Sequence, residues 1–166
     1  MNISARPTRL AFVAYAIAAA VVVADQALKL WALGAFRAAD SVSLPGIGPM
    51  RLSLVWNTGV SFGVLNIGAE WTRWLLSAFA LFVAGGLTVW VRSVERPLLA
   101  VAIGCIIGGA VGNLIDRLRL GAVVDFLDFS QLWFPWVFNI ADAAINVGAA
   151  LLIWDLFLAP RKRAVA

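Results

Sequence analysis

Residues 121–146 read GAVVDFLDFSQLWFPWVFNIADAAIN and contain the two carboxylates on which the interpretation of this chain depends. Asp125 stands in a β-like run of apolar residues, and Asp142 lies just inside an apolar segment long enough to enter a bilayer. An ionisable side chain at membrane depth is costly and by default marks a functional site. We therefore expect the rest of the chain to hold these two acids together at one face of a membrane.

The composition is that of an integral membrane protein. Of the 166 residues, 63% are hydrophobic and 13% are charged, and the mean hydropathy is +0.92. Soluble domains contain roughly 45–50% apolar and about 25% charged residues, so this chain falls outside that class. Its length leaves room for about four spanning helices and little else.

The residue types that are missing exclude several kinds of site. The chain has no histidine, which excludes imidazole catalysis and histidine-containing metal sites, and its single Cys105 can form no internal disulfide. We therefore expect neither a metal nor another cofactor. The net charge is +4, but the basic residues cluster at the ends of apolar segments. That pattern is typical of topology signals, and we expect no nucleic-acid partner.

Four apolar segments predict four transmembrane helices within a single domain that covers residues 1–166. The segments cover about residues 10–33, 73–92, 98–117 and 137–158. A cleavable signal peptide is the alternative for the first segment, but a convincing cleavage site is missing and three more spans follow. In the third segment Gly104, Gly108 and Gly112 form a stripe that permits close helix approach, unless these glycines are merely scattered.

Two connections, about residues 34–72 and 118–136, join the first span to the second and the third span to the fourth on one side of the membrane. They are more polar than the four apolar segments. Residues 50–56 (MRLSLVW) largely alternate between apolar and polar, and residues 45–49 (PGIGP) before them are typical of a turn. This pattern predicts a small hairpin from about residue 41 to residue 56. The predicted fold class is therefore an all-α membrane protein with four transmembrane helices and a small extracytoplasmic β-hairpin or cradle.

The distribution of basic residues predicts the orientation of the chain. Four spans place both termini on one side, where the lead, the middle turn and the tail hold Arg6, Arg9, Arg92, Arg96, Arg161, Lys162 and Arg163. The positive-inside rule makes that side cytoplasmic. Asp142 then lies about one helical turn inside the outer end of its span, so the polar groups converge on the outer boundary. Asp155 is the exception, and we interpret it as an interfacial residue near the inner end.

Further polar residues stand at helical spacing beside the two acids. Asn139, Asp142 and Asn146 are spaced i, i+3, i+7 and form a polar stripe on one helix face. Asp25 and Lys29 are spaced i, i+4 in the first span and can form an ion pair. For the asparagines and for Asp25, hydrogen bonding between helices is as good an explanation as direct chemistry.

Asp116 also has two interpretations, since it can pair with Arg117 or with Lys29. A purely structural role explains less for Asp125 and Asp142, because neither has a basic neighbour in sequence and both lie near the predicted surface.

Five short motifs occur in a fixed order along the chain. They are Asp25-Gln26-x-x-Lys29, Asn57-x-Gly59-x-x-Phe62-Gly63, Gly112-Asn113-x-x-Asp116-Arg117, Val124-Asp125-Phe126 and Phe138-Asn139-x-Ala141-Asp142. This series resembles the bacterial lipoprotein signal peptidase family, the type II signal peptidases. Each motif alone is weak evidence, but five in order over nearly the whole chain are specific.

The resemblance implies a membrane aspartic endopeptidase of the bacterial inner membrane, with its active site at the periplasmic face. Its substrate would be a prolipoprotein, cleaved just before a cysteine that carries diacylglycerol. The resemblance assigns the catalytic pair to Asp125 and Asp142, and we expect a monomer embedded in the lipid bilayer. It implies substrate-binding or supporting roles for Asp25, Lys29, Asn57, Gly59, Asn113, Asp116, Arg117 and Asn139.

Two other classes of membrane protein are alternatives to the peptidase. A small proton- or ion-coupled transporter should carry polar groups through the depth of its bundle and often has internal repeats. Here the acids crowd one side and no repeat is visible. A scaffolding subunit would explain the glycine stripe but not the convergent acids and amides. The peptidase is therefore the preferred interpretation.

Overall fold

The fold is built on four long helices. The computed structural model describes residues 7–39, 41–46, 50–59, 69–132 and 136–158. The helices are α1 (Arg9–Ala38), α2 (Ala69–Trp90), α3 (Pro97–Leu120) and α4 (Ile140–Leu158). Short 3-10 turns cover Val91–Ser93 and Ser130–Leu132. Each of the helices α1 to α4 is long and apolar enough to cross a membrane. This confirms the predicted fold class.

The helix ends follow from local sequence chemistry. Thr8 caps α1, because its hydroxyl accepts a hydrogen bond from the Ala11 N–H at 3.2 Å. Helix α3 opens with Pro97, whose fixed φ suits a first turn. It ends at Gly121, which has a φ of +83° and closes the helix in the left-handed conformation. Helix α1 continues to Ala38 instead of ending near residue 33.

Helix α3 is the centre of the bundle and packs against the other three helices. Its glycines make this approach possible. A Cβ atom on Gly104 would lie 2.7 Å from the Ala14 carbonyl oxygen of α1, and one on Gly108 would lie 2.8 Å from the Ala18 carbonyl oxygen. Any larger residue would push the two backbones apart. The predicted glycine stripe therefore has a packing role.

The two connections at the other end of the bundle combine into one antiparallel sheet. Its strands are β1 (Ser43–Leu44), β2 (Arg51–Asn57), β3 (Val123–Asp128) and β4 (Val137–Phe138), in the order β1-β2-β3-β4. The predicted hairpin is present as β1 and β2. However, β2 also pairs with β3 from the second connection, with Val55 opposite Asp125. One sheet thus joins residues far apart in sequence.

The extended end of α1 supports this sheet. Ala32 and Phe36 of α1 form an apolar cluster with Phe126 of β3, against which Leu52 and Leu54 of β2 also pack. Because side chains alternate between the faces of a strand, Asp125 points to the face opposite Phe126. Packing on α1 therefore decides which face of the sheet carries the acid.

At the far end of the bundle, the side chain of Asp155 in α4 is buried within the protein. The cause is Arg96, whose Nη1 lies 2.8 Å from Asp155 Oδ2 and whose Nη2 donates to the Asp155 backbone oxygen at 2.7 Å. A buried carboxylate is tolerated when a cation and hydrogen bonds satisfy it. This pair fastens the end of α4 to the start of α3.

Candidate active site

Asp125 and Asp142 lie close together where the sheet meets the beginning of α4. Asp125 lies in the middle of β3 and is 1% exposed, whereas Asp142 lies in the first turn of α4 and is half-buried. The sheet brings β3 over the helix ends, and the β4 strand leads directly into α4. The two carboxylates are close enough for the charge of Asp142 to act on Asp125.

Asn139 connects the two acids. Its Nδ2 donates to Asp125 Oδ1 at 2.7 Å, and its Oδ1 accepts from the Asp142 backbone N–H at 2.8 Å. The second bond is an N-cap, since Asn139 directly precedes α4. Asn139 therefore fixes the start of α4 and the Asp125 carboxyl in one geometry.

Two further amides hold the acids from other elements. Asn57 of β2 donates from Nδ2 to Asp125 Oδ2 at 3.0 Å. Its own orientation is set by Gly59, whose N–H donates to Asn57 Oδ1 at 2.8 Å and whose φ is +85°. Asn113 of α3 donates from Nδ2 to Asp142 Oδ1 at 2.7 Å. Each acid thus receives a side-chain amide donor from a second element.

A buried ion-pair cluster lies directly below these amides. Lys29 Nζ is 2.8 Å from Asp25 Oδ2 and 2.8 Å from Asp116 Oδ2, and it also donates to Asn113 Oδ1 at 3.2 Å. All three charged side chains are at most 3% exposed. The predicted Asp25–Lys29 pair is confirmed. Of the two partners considered for Asp116, the structure selects Lys29.

The two carboxylates of this cluster also bind backbone groups. Asp25 Oδ1 accepts from the Ala141 N–H at 2.9 Å, at the beginning of α4. Asp116 Oδ2 accepts from the Val124 N–H at 3.0 Å, in β3. The cluster therefore joins α1, α3, α4 and β3 immediately beneath the two acids. Buried charges satisfied in this way act mainly as a fixed support.

Sequence reasoning did not single out Gln26 as part of this support. Its Nε2 donates to Asp116 Oδ1 at 2.9 Å and to the Gly112 carbonyl oxygen at 3.2 Å. The available signal was its place inside the first motif, next to Asp25. Residues 60–68, which include the Phe62-Gly63 part of the second motif, lie outside the described ranges.

Arg117 occupies a different position from Asp116, its neighbour in sequence. It is half-buried, and within the described ranges no hydrogen bond or ion pair joins its guanidinium to another residue. The negative charges of Asp142 and Asp125 both act on it. A guanidinium beside two acids can bind an oxygen of a third molecule.

The two acids of strand β3 respond oppositely to their surroundings. Burial, and then the negative charge of Asp142, raises the pKa of Asp125 to about 7, against hydrogen bonds from Asn57 and Asn139. In contrast, the hydroxyl hydrogen bond from Ser53 is the main cause that lowers the pKa of Asp128. The two acids can therefore keep one proton between them near neutral pH, as expected where two carboxylates share a site.

A groove of about 920 Å³ opens beside the acids. Asn57 and Asp142 border it, and most of its other lining is apolar. The lining residues from the second connection and α4 include Phe129, Trp136, Phe138, Ile145 and Val147. Such a groove suits an extended apolar peptide segment that brings one of its peptide bonds next to Asp142.

A family model and two curated relatives connect this chain to signal peptidases. A family model described as signal peptidase (SPase) II matches residues 17–158. The lipoprotein signal peptidase of Caulobacter vibrioides is 55% identical over 157 residues, which cover 94% of this chain and 93% of the relative. That of Shewanella loihica is 45% identical over 152 residues, covering 89% and 88%.

Two solved structures have a fold similar to that of this chain. One described as a bacterial membrane enzyme is 25% identical, superposes with a TM-score of 0.74, and is matched over 93% of both chains. A second with the same description is 26% identical, with a TM-score of 0.70 over 89% of this chain and 94% of the other.

Proposed function

Because the chain belongs to the signal peptidase II family, we propose that it is an aspartic endopeptidase that removes the signal peptide from diacylglyceryl-modified prolipoproteins. It cleaves just before the lipidated cysteine and works as a multi-pass protein of the bacterial inner membrane. The observation that carries the aspartic mechanism is the arrangement of Asp125 and Asp142, which Asn139 joins at the edge of the apolar groove.

The first chemical step uses the single proton that the two acids share. The ionised carboxylate takes a proton from water while the water oxygen bonds to the scissile carbonyl carbon. The protonated carboxyl gives its proton to the carbonyl oxygen, so that a neutral gem-diol forms. The raised pKa of Asp125, about 7, supports the retention of this proton at neutral pH. We treat Asp125 and Asp142 as one titrating unit.

The second step breaks the peptide bond. The nitrogen takes a proton from the carboxyl that received one from water, and a gem-diol hydroxyl returns its proton to the other carboxylate. The C–N bond then breaks. The products are a signal peptide with a free carboxyl end and a lipoprotein whose lipidated cysteine carries a free amine, and the two acids again share one proton.

The surrounding residues orient the reaction without exchanging protons. Three side-chain amides, those of Asn57, Asn113 and Asn139, donate hydrogen bonds to the two carboxylates. These hydrogen bonds limit the carboxylates to orientations that suit the reaction. Arg117 is assigned to the substrate backbone, because its guanidinium has no partner within the described ranges and lies close enough to the two acids for their charges to act on it. The buried cluster around Lys29 supports this arrangement from below.

The placement of the site explains why a lipid-anchored bond is the substrate. A diacylglyceryl chain holds the scissile bond at the membrane boundary, where Asp142 begins its span. The apolar groove then receives the residues before the bond. Depth in the membrane and fit to the groove together select the bond to be cleaved.

We further assign both termini to the cytoplasm and the active site to the periplasmic face. The basic residues support this orientation, since Arg9, Arg92 and Arg96 stand at the end of the bundle opposite the sheet, and the tail adds the sequence RKR at residues 161–163. We also assign a monomer as the active form, because one chain supplies both acids and their amide partners.

The test is cleavage by the purified protein in lipid nanodiscs. A diacylglyceryl-modified prolipoprotein should release its signal peptide, with the new N-terminus at the lipidated cysteine by mass spectrometry, and the unmodified precursor should be a poor substrate. Asp125→Asn and Asp142→Asn should be inactive. Asp128→Asn is the matched control on the same strand. The Asp128 carboxylate accepts a hydrogen bond from Ser53, and Asp128 does not line the groove. Near-parental turnover of Asp125→Asn or of Asp142→Asn would refute the assignment of that residue to the catalytic pair.

A further inference from the structure

Asn146 is a polar residue of the groove that none of the catalytic steps uses. It lies one turn after Asp142 on α4, its side chain is exposed, and it lines the same groove. Its neighbours on that wall, Ile145 and Val147, are apolar. A polar side chain on the wall of a membrane-embedded groove is costly unless a partner satisfies it, so its presence there indicates a use.

The hydrogen bond of Asn146 fixes which end of its amide faces the groove. Nδ2 donates to the backbone oxygen of Asp142 at 3.0 Å. Because a carbonyl oxygen can only accept, the amide must turn its NH2 group toward the helix and its Oδ1 away from it. Within the described ranges no donor reaches Oδ1. The groove therefore presents a hydrogen-bond acceptor one turn deeper than the catalytic carboxylate.

The depth of this acceptor determines which substrate residue meets it. Four residues of α-helix separate Asn146 from Asp142, a rise of about 6 Å. An extended substrate advances about 3.3 Å per residue. In the proposed orientation the residues before the scissile bond lie deeper in the membrane than the bond. The second residue before that bond thus reaches the level of Asn146.

We propose that Asn146 is a specificity-determining residue that accepts a hydrogen bond from a hydroxyl side chain, serine or threonine, at the second substrate residue before the cleaved bond. This assignment rests on the proposed peptidase function and deepens it. A hydroxyl there satisfies Oδ1, whereas an apolar side chain of the same shape leaves the acceptor unpaired. One such neutral bond favours the hydroxyl substrate by about five- to twentyfold in kcat/KM.

The experiment compares two diacylglyceryl-modified prolipoproteins that differ only in threonine or valine at that position. These side chains have the same shape, so the ratio of their kcat/KM values isolates the hydroxyl. The parent should prefer threonine by about five- to twentyfold. Asn146→Leu and Asn146→Ala should bring the ratio to about one. Ile153→Leu, an exposed position of α4 outside the groove, is the control and should keep the parental ratio.

The outcomes separate specificity from structure. If the bond from Asn146 to Asp142 only stabilised the helix, its loss would slow both substrates equally and leave the ratio unchanged, which would overturn the proposal. A parental ratio near one, or a hydroxyl preference confined to the first or third residue before the bond, would overturn it as well. Failure of the parent to cleave either substrate would instead overturn the proposed peptidase function, and this assignment with it.

Discussion

Two buried aspartates of this protein should respond oppositely to the same substitution. Asp116→Asn and Asp125→Asn each replace a carboxylate by an amide of equal shape, and both side chains are almost fully buried. Asp116 belongs to the ion-pair cluster, whereas Asp125 belongs to the proposed catalytic pair. We expect Asp116→Asn to lower the free energy of unfolding and Asp125→Asn to leave it unchanged or raise it.

The loss at Asp116 follows from its donors. Its carboxylate accepts from Lys29 at 2.8 Å, from Gln26 at 2.9 Å and from the Val124 N–H at 3.0 Å. An amide has one acceptor oxygen, so its NH2 group would face at least one of these donors. Breaking a buried ion pair costs about 3–5 kcal/mol. Because Lys29 keeps its bond to Asp25, we expect the lower end, about 3 kcal/mol.

The opposite sign at Asp125 follows from its raised pKa. The increase from 3.8 to about 7 corresponds to about 4 kcal/mol of unfavourable free energy for the ionised form in the folded state. An amide avoids this penalty but leaves one of the two donors, Asn57 or Asn139, without an acceptor, at about 1–2 kcal/mol. The net effect on stability at neutral pH is therefore zero or favourable.

The pH dependence of the comparison supplies a second check. A carboxyl whose pKa is raised on folding contributes its full stability below the unfolded value and loses it as the pH rises through the folded value. For Asp125 this window runs from 3.8 to about 7. The stability of the parent should therefore fall relative to Asp125→Asn between about pH 4 and about pH 7, and the difference should level off above that range.

Unfolding of the purified variants in one detergent, by heat and by denaturant across this pH range, measures both effects. Turnover measured on the same samples should be partial for Asp116→Asn and absent for Asp125→Asn. Parental stability in Asp116→Asn, or a loss of more than about 2 kcal/mol in Asp125→Asn, would refute the reasoning. A stable but inactive Asp116→Asn would mean that its charge takes part in the chemistry.

Three further outcomes are expected. Asp142→Asn should lower kcat by about 10²–10⁴-fold or more in turnover assays, because a general acid or base usually contributes that much. Membrane fractionation should show that the variant still inserts into the membrane. Metal chelators and serine- or cysteine-directed reagents should leave turnover intact, because the chain has no histidine and Cys105 lies in the middle of α3; activity that is lost to a chelator and restored by a metal would contradict the mechanism. Lys29→Met should lower stability by about 3–5 kcal/mol in denaturant unfolding, because Asp25 and Asp116 lose their cation; adding Asp25→Asn to that variant should recover part of the loss, and no recovery would argue against the pair.

Much of the fold was predictable from the sequence, because the features concerned are local. Backbone groups in a bilayer must be satisfied within their own helix, so each span is an apolar run that can be counted. The five motifs in their fixed order indicated the family, and the spacing of Asp25 and Lys29 predicted their ion pair. The alternation in residues 50–56 predicted a strand.

Other features depended on contacts between distant segments, which sequence spacing does not encode. The choice of Lys29 over Arg117 as the partner of Asp116 required α1 to lie against α3, and that approach depends on glycines facing alanines of α1. The burial of Asp155 likewise depended on Arg96, fifty-nine positions away in the chain. The predicted hairpin is half of a larger sheet because β2 also pairs with β3, a strand of the other connection. Hydropathy and periodicity determine which segments enter the membrane, whereas the packing of those segments decides which charges meet and which side chains face the groove.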